Sequence, residues 1–535
     1  MSEEASKLPK DIAAEEGKVN VQINGTWHRF PRGTRIADAC RSVGVPIPCF
    51  CYHPKLAVVG SCRMCMVEQG MPPRLAPGQT PSYDENGYQR IQWMPRPIIS
   101  CANTVAENMG IRTDSPLASE ARRGVMEFLL TSHPLDCPIC DQAGECKLQE
   151  YSNDYGQVEG RYEEKKTKKG KNLSIGPRVN LDQERCVLCG RCVRFMRDIM
   201  HDEVLTMAQR GTFNAITVYP GRELDSNYSL NTVDLCPVGA LTSKDFRFKM
   251  RVWFLKETKT IDVDCGTGTN IILWTREDKV YRITPRPNDA VNSCWMPDSH
   301  RLNYKYINAE TRIPQPVIRT DAGAPHRPST WAWSRVQCPA PAWPRSCSGC
   351  GPRQSACRRF LPCGGRCPPC PCRFARPGGG HGSIKGILTL GEDLTAPEAG
   401  FTAEDLKKLD YLFMTAHSVN ETARHADLVL PGVTYAEKFG TMINVTGRIQ
   451  RLNRAIQPVG YARDDWQILR DITLLLGGNP ALKDFNSALD ILTVMSTEYG
   501  ALNGVTWGSI GDGGQPILET GVTIPVVEHE KSQGR

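Results

Sequence analysis

What this 535-residue chain lacks narrows it before any motif is read. No stretch approaches the roughly 20 consecutive apolar residues of a bilayer-crossing helix, so no direct membrane span is expected. The opening MSEEASKLPKDIAAEEGK has neither the apolar core of a secretory signal nor the arginines of a transit peptide, so the chain is expected to stay in the compartment where it is made. No G-x-G-x-x-G or phosphate-binding loop occurs, so it should have no nucleotide site of its own. Large charge of one sign is also missing: the net +7 is small for this length. Its densest part, Lys165 to Lys171, has no interleaved aromatic residues, which points to a solvated loop and away from nucleic acid. Between Ala322 and Gly391 there is no Asp or Glu at all, while residues 338–372 hold eight cysteines amid Pro, Arg and Gly. No helical or strand period runs through that stretch. It reads as an out-of-frame or degenerate segment, expected to be disordered.

What is abundant is cysteine, 23 residues in all. A Cys-rich chain of this size in a reducing compartment binds metal more readily than it forms disulfides. Eleven cysteines and one histidine of the first half fall into three groups. The first is Cys51, Cys62, Cys65 and Cys101; the second is His133, Cys137, Cys140 and Cys146; the third is Cys186, Cys189, Cys192 and Cys236. In each, a tight set lets a short loop wrap an iron-sulfur cluster while a remote ligand closes the cage. The first group, spaced C-x10-C-x2-C, reads as 2Fe-2S with a loop longer than the plant-type pattern; the other two read as 4Fe-4S. Cys49 competes with Cys51 as first ligand on spacing alone. His133 stands just before CPIC and closes a set that has no other obvious fourth ligand. A neutral imidazole in place of a thiolate makes that cluster less negative and raises its potential. Structural zinc is the alternative for any four-cysteine group, but three zincs would leave the cysteine-proline pair Cys236-Pro237 unexplained. Cys40, Cys265 and Cys294 read as packed or exposed thiols.

The length calls for several domains. Residues 1–17 read as a disordered N-terminus and 18–112 as a β-grasp, 2Fe-2S ferredoxin-like domain. There VNVQI and TWHRF flank Asn24-Gly25 as a hairpin, and a short helix from about Thr34 to Val43 ends at Gly44. The Pro-rich stretch between Cys65 and Cys101 reads as a surface excursion. Residues 113–177 form a 4Fe-4S domain with mixed histidine and cysteine ligands. It opens on a helix capped by Ser115-Pro116, with Val125, Phe128 and Leu129 at helical spacing. Residues 178–250 form a four-cysteine, ferredoxin-like 4Fe-4S domain. Residues 251–535, with 322–382 anomalous, turn to α/β: IKGILTL, LDYLFMT and TARHADLVLP read as strands, the first two as buried, and DWQILRDITLLL as an amphipathic helix. The fold class is thus multidomain, α+β and then α/β.

IPCFCYHPKLAVVGSCRMCMVE, GVMEFLLTSHPLDCPICDQAGECKLQE, RCVLCGRCVRF and DLCPVGALTSKDF resemble the large iron-sulfur subunit, known as the G subunit, of bacterial NADH:quinone oxidoreductase, the proton-pumping respiratory complex I. The resemblance covers residues 18 to about 318. It resumes near 383, where ETARHADLVLPGVTYAEKFGTMINVTGRIQRL is similar to the molybdopterin-oxidoreductase-like domain that the family carries without a molybdenum cofactor. That domain looks incomplete here. The resemblance implies Cys51 as first ligand, one 2Fe-2S and two 4Fe-4S clusters, no molybdopterin, and electron transfer only, with no catalytic residues. Some members carry a further cluster at the start of the last domain; the isolated Cys265 argues against it. It also implies an NADH/FMN-binding flavoprotein subunit as donor and a ferredoxin-like 4Fe-4S subunit as acceptor. Electrons would pass through the 2Fe-2S, the four-cysteine and then the His133 centre toward quinone. Other peripheral-arm subunits would be neighbours, on the cytoplasmic side of the bacterial inner membrane. A diaphorase-type subunit of an NAD-linked hydrogenase or formate dehydrogenase shares the first half and is the alternative; a non-redox zinc scaffold is the rival from another class.

Overall fold

The structure, a computed structural model, describes residues 17–319, Arg327–Pro328 and 385–521, with short gaps within 75–87 and at 398. The segment expected to be anomalous, 322–382, thus lies outside the described residues apart from that one residue pair, as do residues 1–16. The chain divides into two compact units, one of residues up to Leu255 with Trp295–Ser299, the other of Lys256–Cys294 with most of the chain from His300 on.

The first unit begins with β1 (Lys18–Ile23) and β2 (Thr26–Pro31), paired antiparallel around Asn24 (φ 47°) and Gly25 (φ 88°). Both turn residues have the positive φ that a type I′ turn requires. Val19, Val21 and Ile23 alternate into the core, where α1 (Ile36–Ser42) packs through Ile36, Ala39 and Cys40. Then come β3 (Met66–Met71), β4 (Gln92–Trp93), β5 (Ile98–Ile99) and β6 (Met109–Arg112). The sheet order is β2-β1-β6-β3-β4, with β5 also on β3 and only β1 and β6 parallel. The end of the Pro-rich stretch is not a free excursion. Ile91 and Trp93 fold back onto Gly70 and Gly110, where any Cβ would stand within 3 Å of those side chains. Two glycines leave a flat gap in the sheet, and the returning chain fills it.

Next, α2 (Pro116–Thr131) starts at Ser115, whose side chain accepts from the Ala118 amide at 3.3 Å. Its buried stripe is Ala118, Arg122 and Met126, and Phe128 is 84% exposed. The expected apolar spacing therefore picked the wrong face for Phe128. Beyond it lie α3 (Lys147–Tyr155), β7 (Leu173–Ser174), β8 (Val179–Leu181) and α4 (Arg191–Arg194), which runs into a π-helical turn over Phe195–Ile199. After these come β9 (Leu205–Ala208), β10 (Ala215–Val218), α5 (Asn231–Leu235) and β11 (Leu241–Ser243).

The second unit opens on an antiparallel sheet of β12 (Lys256–Ile261), β13 (Asn270–Arg276) and β14 (Lys279–Pro285). A second sheet holds β15 (Val317–Ile318), β16 (Arg327–Pro328), β17 (Gly386–Leu390), β18 (Tyr411–Ala416) and β19 (Leu428–Pro431) in the order β16-β15-β19-β18-β17. The neighbours β17, β18 and β19 are parallel. Two expectations are corrected here. First, β17 and β18 are not buried on both faces: Leu412 and Met414 point into the core, while Tyr411, Phe413, Leu388 and Leu390 are exposed. Second, TARHADLVLP is not one strand. Asn420 caps a helix over Glu421–His425, accepting from the Ala423 amide at 2.8 Å, and β19 starts only at Leu428. The amphipathic helix forms as expected, over Asp465–Leu475.

Candidate metal centres

The first group assembles where the loop after α1 meets the end of β5. The thiols of Cys51, Cys62, Cys65 and Cys101 form one hydrogen-bonded set: Cys101 bonds Cys51 and Cys65, and Cys62 bonds Cys51. These bonds hold Cys51 and Cys65 well below the usual thiol range and push Cys101 and Cys62 above it. Such a set favours the thiolate, the form that binds metal, at Cys51 and Cys65, while Cys62 and Cys101 keep their protons until metal displaces them. The Phe50 amide donates to the Cys62 sulfur at 3.5 Å. The Cys65 carbonyl accepts from the Ser100 amide at 3.1 Å and hydroxyl at 2.8 Å, which fastens Cys65 to the segment carrying Cys101. The Cys49 thiol instead donates to the Tyr52 carbonyl at 3.8 Å, and Cys40 is buried within α1, where burial pushes it up to about 12.

The second group lines a cavity of about 630 Å³ with His133, Cys137, Cys140 and Cys146 on its wall. α2 delivers His133 two residues past its end, a short turn over Cys137–Ile139 presents Cys137, and Cys146 stands immediately before the first turn of α3, with no capping hydrogen bond from its side chain. Burial, helped by the charges of Lys166 and Arg185, lowers His133 to about 4, so its imidazole is a neutral donor at physiological pH. Gly239 faces this group so closely that a Cβ there would stand 2.3 Å from the Cys140 sulfur. Arg251 donates to the Cys140 carbonyl at 2.5 Å and also to the Pro138 carbonyl. Asp136 is held by Arg185 at 2.9 Å and Lys171 at 2.7 Å.

The third group wraps through Leu188 (φ 53°) and Gly190 (φ 68°), and Cys236 closes it from the end of α5. Burial pushes Cys186 up to about 12, Cys189 to about 11 and Cys192 well above its ordinary value, and all three feel Cys236. Desolvation here outweighs the nearby charges of Lys169, Arg191 and Arg194, so the thiols stay protonated without metal; a bound metal reverses this. Cys236 also lies within electrostatic reach of Cys146 of the second group. One apolar cluster packs Cys51, Cys62, Cys146, Cys186, Cys189 and Cys236 against Phe50, Met64, Met126, Leu148, Val238 and Ala240.

The donor sets fit iron-sulfur clusters: cysteine sulfurs that become thiolates on binding metal, one neutral imidazole, and a glycine where a side chain would crowd a ligand. Among the described residues no group of three or more His, Cys, Asp or Glu is arranged as a ready site for a single metal ion. The supporting residues Gly239, Arg251 and Arg185 carry no signal in the sequence, because each reaches its ligand loop across dozens of residues and leaves no local pattern.

Five family models match successive segments. They are a 2Fe-2S iron-sulfur cluster binding domain at 16–116, the NADH-ubiquinone oxidoreductase-G iron-sulfur binding region at 122–161, and the NADH-quinone oxidoreductase subunit 3 ferredoxin-like domain at 176–242. An NADH-ubiquinone oxidoreductase NDSU1/NuoG-like 4Fe-4S domain follows at 255–305, then molybdopterin oxidoreductase at 379–473. The segment 255–305 contains Cys265 and Cys294 and no third cysteine. The 78 kDa subunit of mitochondrial NADH-ubiquinone oxidoreductase from Neurospora crassa is 40% identical over 61% of this chain and 41% of its own length. The mitochondrial NADH dehydrogenase [ubiquinone] iron-sulfur protein 1 of Solanum tuberosum is 41% identical over 59% and 39%. The G subunit of NADH-quinone oxidoreductase from Rickettsia bellii is 40% identical over 56% and 41%. The chain thus spans about two fifths of the length of the relatives it matches. A solved NAD+-reducing [NiFe]-hydrogenase matches at 26% identity over 44% of this chain and 91% of that one, with a TM-score of 0.36, which decides nothing between the two readings. No helix among the described residues is long and apolar enough to cross a membrane.

Proposed function

Because this chain, through residues 16–305, belongs to the family of the large iron-sulfur subunit of NADH:quinone oxidoreductase, we propose that it is an electron-relay subunit of such a complex. Cys51, Cys62, Cys65 and Cys101 hold a 2Fe-2S cluster in a β-grasp domain. His133, Cys137, Cys140 and Cys146 hold a 4Fe-4S cluster, and Cys186, Cys189, Cys192 and Cys236 hold another. The clusters, when bound, supply one-electron carriers whose potentials follow their ligand charge, hydrogen bonds and solvent exposure. The protein's own part is to bury the donors, hold them in register and exclude water. Its domains run 18–112, 113–177, 178–250 and 251–535, the last molybdopterin-oxidoreductase-like and without molybdopterin. Its donor is an NADH/FMN flavoprotein subunit, its acceptor a ferredoxin-like 4Fe-4S subunit, and its place the cytoplasmic face of a bacterial inner membrane.

The observation that carries this reading is that the third group's segments are bonded to both others, Arg194 to the Cys51 carbonyl at 2.5 Å and the Pro237 carbonyl to the Lys147 amide beside Cys146 at 3.0 Å, within one apolar cluster that holds ligands of all three groups. That supports the order first, third, second for electron passage. Iron and acid-labile sulfide analysis of the anaerobically reconstituted chain tests it. About ten irons are expected from one 2Fe-2S and two 4Fe-4S sites; zinc in place of iron and sulfide would overturn the reading.

A further inference from the structure

The third ligand loop runs directly into α4, and the two arginines that bound this turn reach back to the first loop. Arg194, only 6% exposed, donates to the Cys51 carbonyl at 2.5 Å, to the Cys189 carbonyl at 3.3 Å and to the Gly190 carbonyl at 3.2 Å, and it also bonds the Ala57 carbonyl. Arg191 donates to the Tyr52 carbonyl at 2.5 Å and to the Leu235 carbonyl at 3.3 Å. Cys51 and Cys189 are ligands of the first and third groups; Tyr52 and Leu235 each adjoin a ligand, Cys51 and Cys236. Each guanidinium therefore joins the same two sites.

Every one of these acceptors is a neutral carbonyl. Among the described residues neither arginine has a carboxylate within ion-pair distance, and Asp198, the acid nearest along the chain, is taken by the exposed Arg197 at 2.7 Å. A guanidinium does not deprotonate, and a buried charge without a counter-charge is costly. Apart from Asp198, whose charge also reaches Arg194, the groups on this face able to carry negative charge are the sulfurs of Cys51 and Cys189, and the sets they belong to become more negative when their clusters are reduced.

We propose that Arg194, with Arg191, is a positioning and charge-compensating device shared by the first and third cluster sites, fixing the two ligand loops to each other and holding up both reduction potentials. The inference rests on the cluster reading above and adds to it a residue pair through which two neighbouring centres are tuned together. Compensation raises a potential because each reduction adds an electron to an already anionic site. Sharing one cation means that its loss moves both centres in the same direction. Arginine suits this because its rigid planar fork spreads five donors widely enough to reach carbonyls of both loops, a span that the compact ammonium of lysine does not cover.

The test is an EPR-monitored redox titration of the full chain, reconstituted anaerobically. Arg194→Met should shift both potentials to more negative values. Arg194→Lys should bring both back toward wild type yet lower the melting temperature, since the charge returns and the bridging does not. Arg197→Met, which removes an exposed arginine already paired with Asp198, should move neither. A loaded Arg194→Met protein whose titrations overlay the wild type would overturn the proposal. Should that variant fail to hold both clusters, Arg191→Met decides instead: a joint negative shift supports the device, and unmoved potentials refute it. A wild-type chain that takes up no clusters would sink the underlying reading and this one together, whereas unmoved potentials in loaded variants sink only this one.

Discussion

The backbone amide of Lys147 donates to the carbonyl of Pro237 at 3.0 Å, joining the residue that follows Cys146 to the residue that follows Cys236. The loops of the second and third groups are thus stitched one residue beyond a ligand on each side. Two residues further on, Gly239 looks into the second group at Cys140. A change made on the third group's segment should therefore be read out at the second group's cluster.

Gly239→Ala tests this. The added methyl would start 2.3 Å from the Cys140 sulfur, so the sulfur or the loop must shift. Overpacking of this kind costs about 1–3 kcal/mol. The EPR signal of the His133-ligated cluster should be lost or altered, while that of the Cys51 set stays as in wild type. An unchanged spectrum for both would show that the glycine is not needed there.

Cys49 and Cys51 are two residues apart, but only Cys51 joins the hydrogen-bonded thiol set; Cys49 points to the Tyr52 carbonyl. Cys51→Ser should strip or strongly weaken the 2Fe-2S chromophore. Cys49→Ser should leave visible absorption and EPR near wild type. The reverse pattern would make Cys49 the ligand.

Local chemistry was readable from the chain: the turn at Asn24-Gly25, the cap at Ser115 and the ligand spacings each depend on residues a few positions apart. What depends on tertiary neighbours was not. Val125, Phe128 and Leu129 lie at helical spacing, and Val125 and Leu129 pack against the core beside Met126, but Phe128 falls on the exposed side of the stripe bearing Ala118, Arg122 and Met126. Nothing within α2 says which stripe will be buried. TARHADLVLP failed as a strand because Asn420 offers an N-cap that outcompetes extension for one turn. The contacts of Arg194 with Cys51 and of Gly239 with Cys140 span more than ninety residues, so no period or motif could announce them.

His300 in the second unit supplies a pH test away from the clusters. Its Nδ1 stands 3.1 Å from Asp262, an ion pair more than an aligned hydrogen bond, and Asp264 adds a second negative neighbour. The Asp262 carboxylate raises the histidine above its ordinary 6.5. A raised folded-state value means that the unfolded chain binds fewer protons as pH climbs between the two values. The stabilisation is therefore complete below pH 6.5 and fades as pH rises through the raised value. His300→Gln should melt earlier than wild type in acidic buffer, by about 1 kcal/mol or less for a partly exposed pair. The difference should vanish in alkaline buffer; one that grows with pH would contradict the pairing.

Under the proposed assignment His133 closes the second group as the one nitrogen among eleven sulfurs, and its buried neutral ring would make that site less anionic than its neighbours. His133→Cys should retain a four-iron cluster at a lower potential, because a thiolate adds negative charge that disfavours the reduced state. His133→Ala removes the donor altogether and should leave a three-iron form or a solvent-ligated iron, distinguishable by EPR. Both variants should leave the Cys51 set unchanged, since α2 delivers the histidine to the second group's cavity alone. If redox titrations of both variants overlay the wild type, another residue closes the second cage, and Cys137, Cys140 and Cys146 would then have to be screened with the remaining side chains of that cavity.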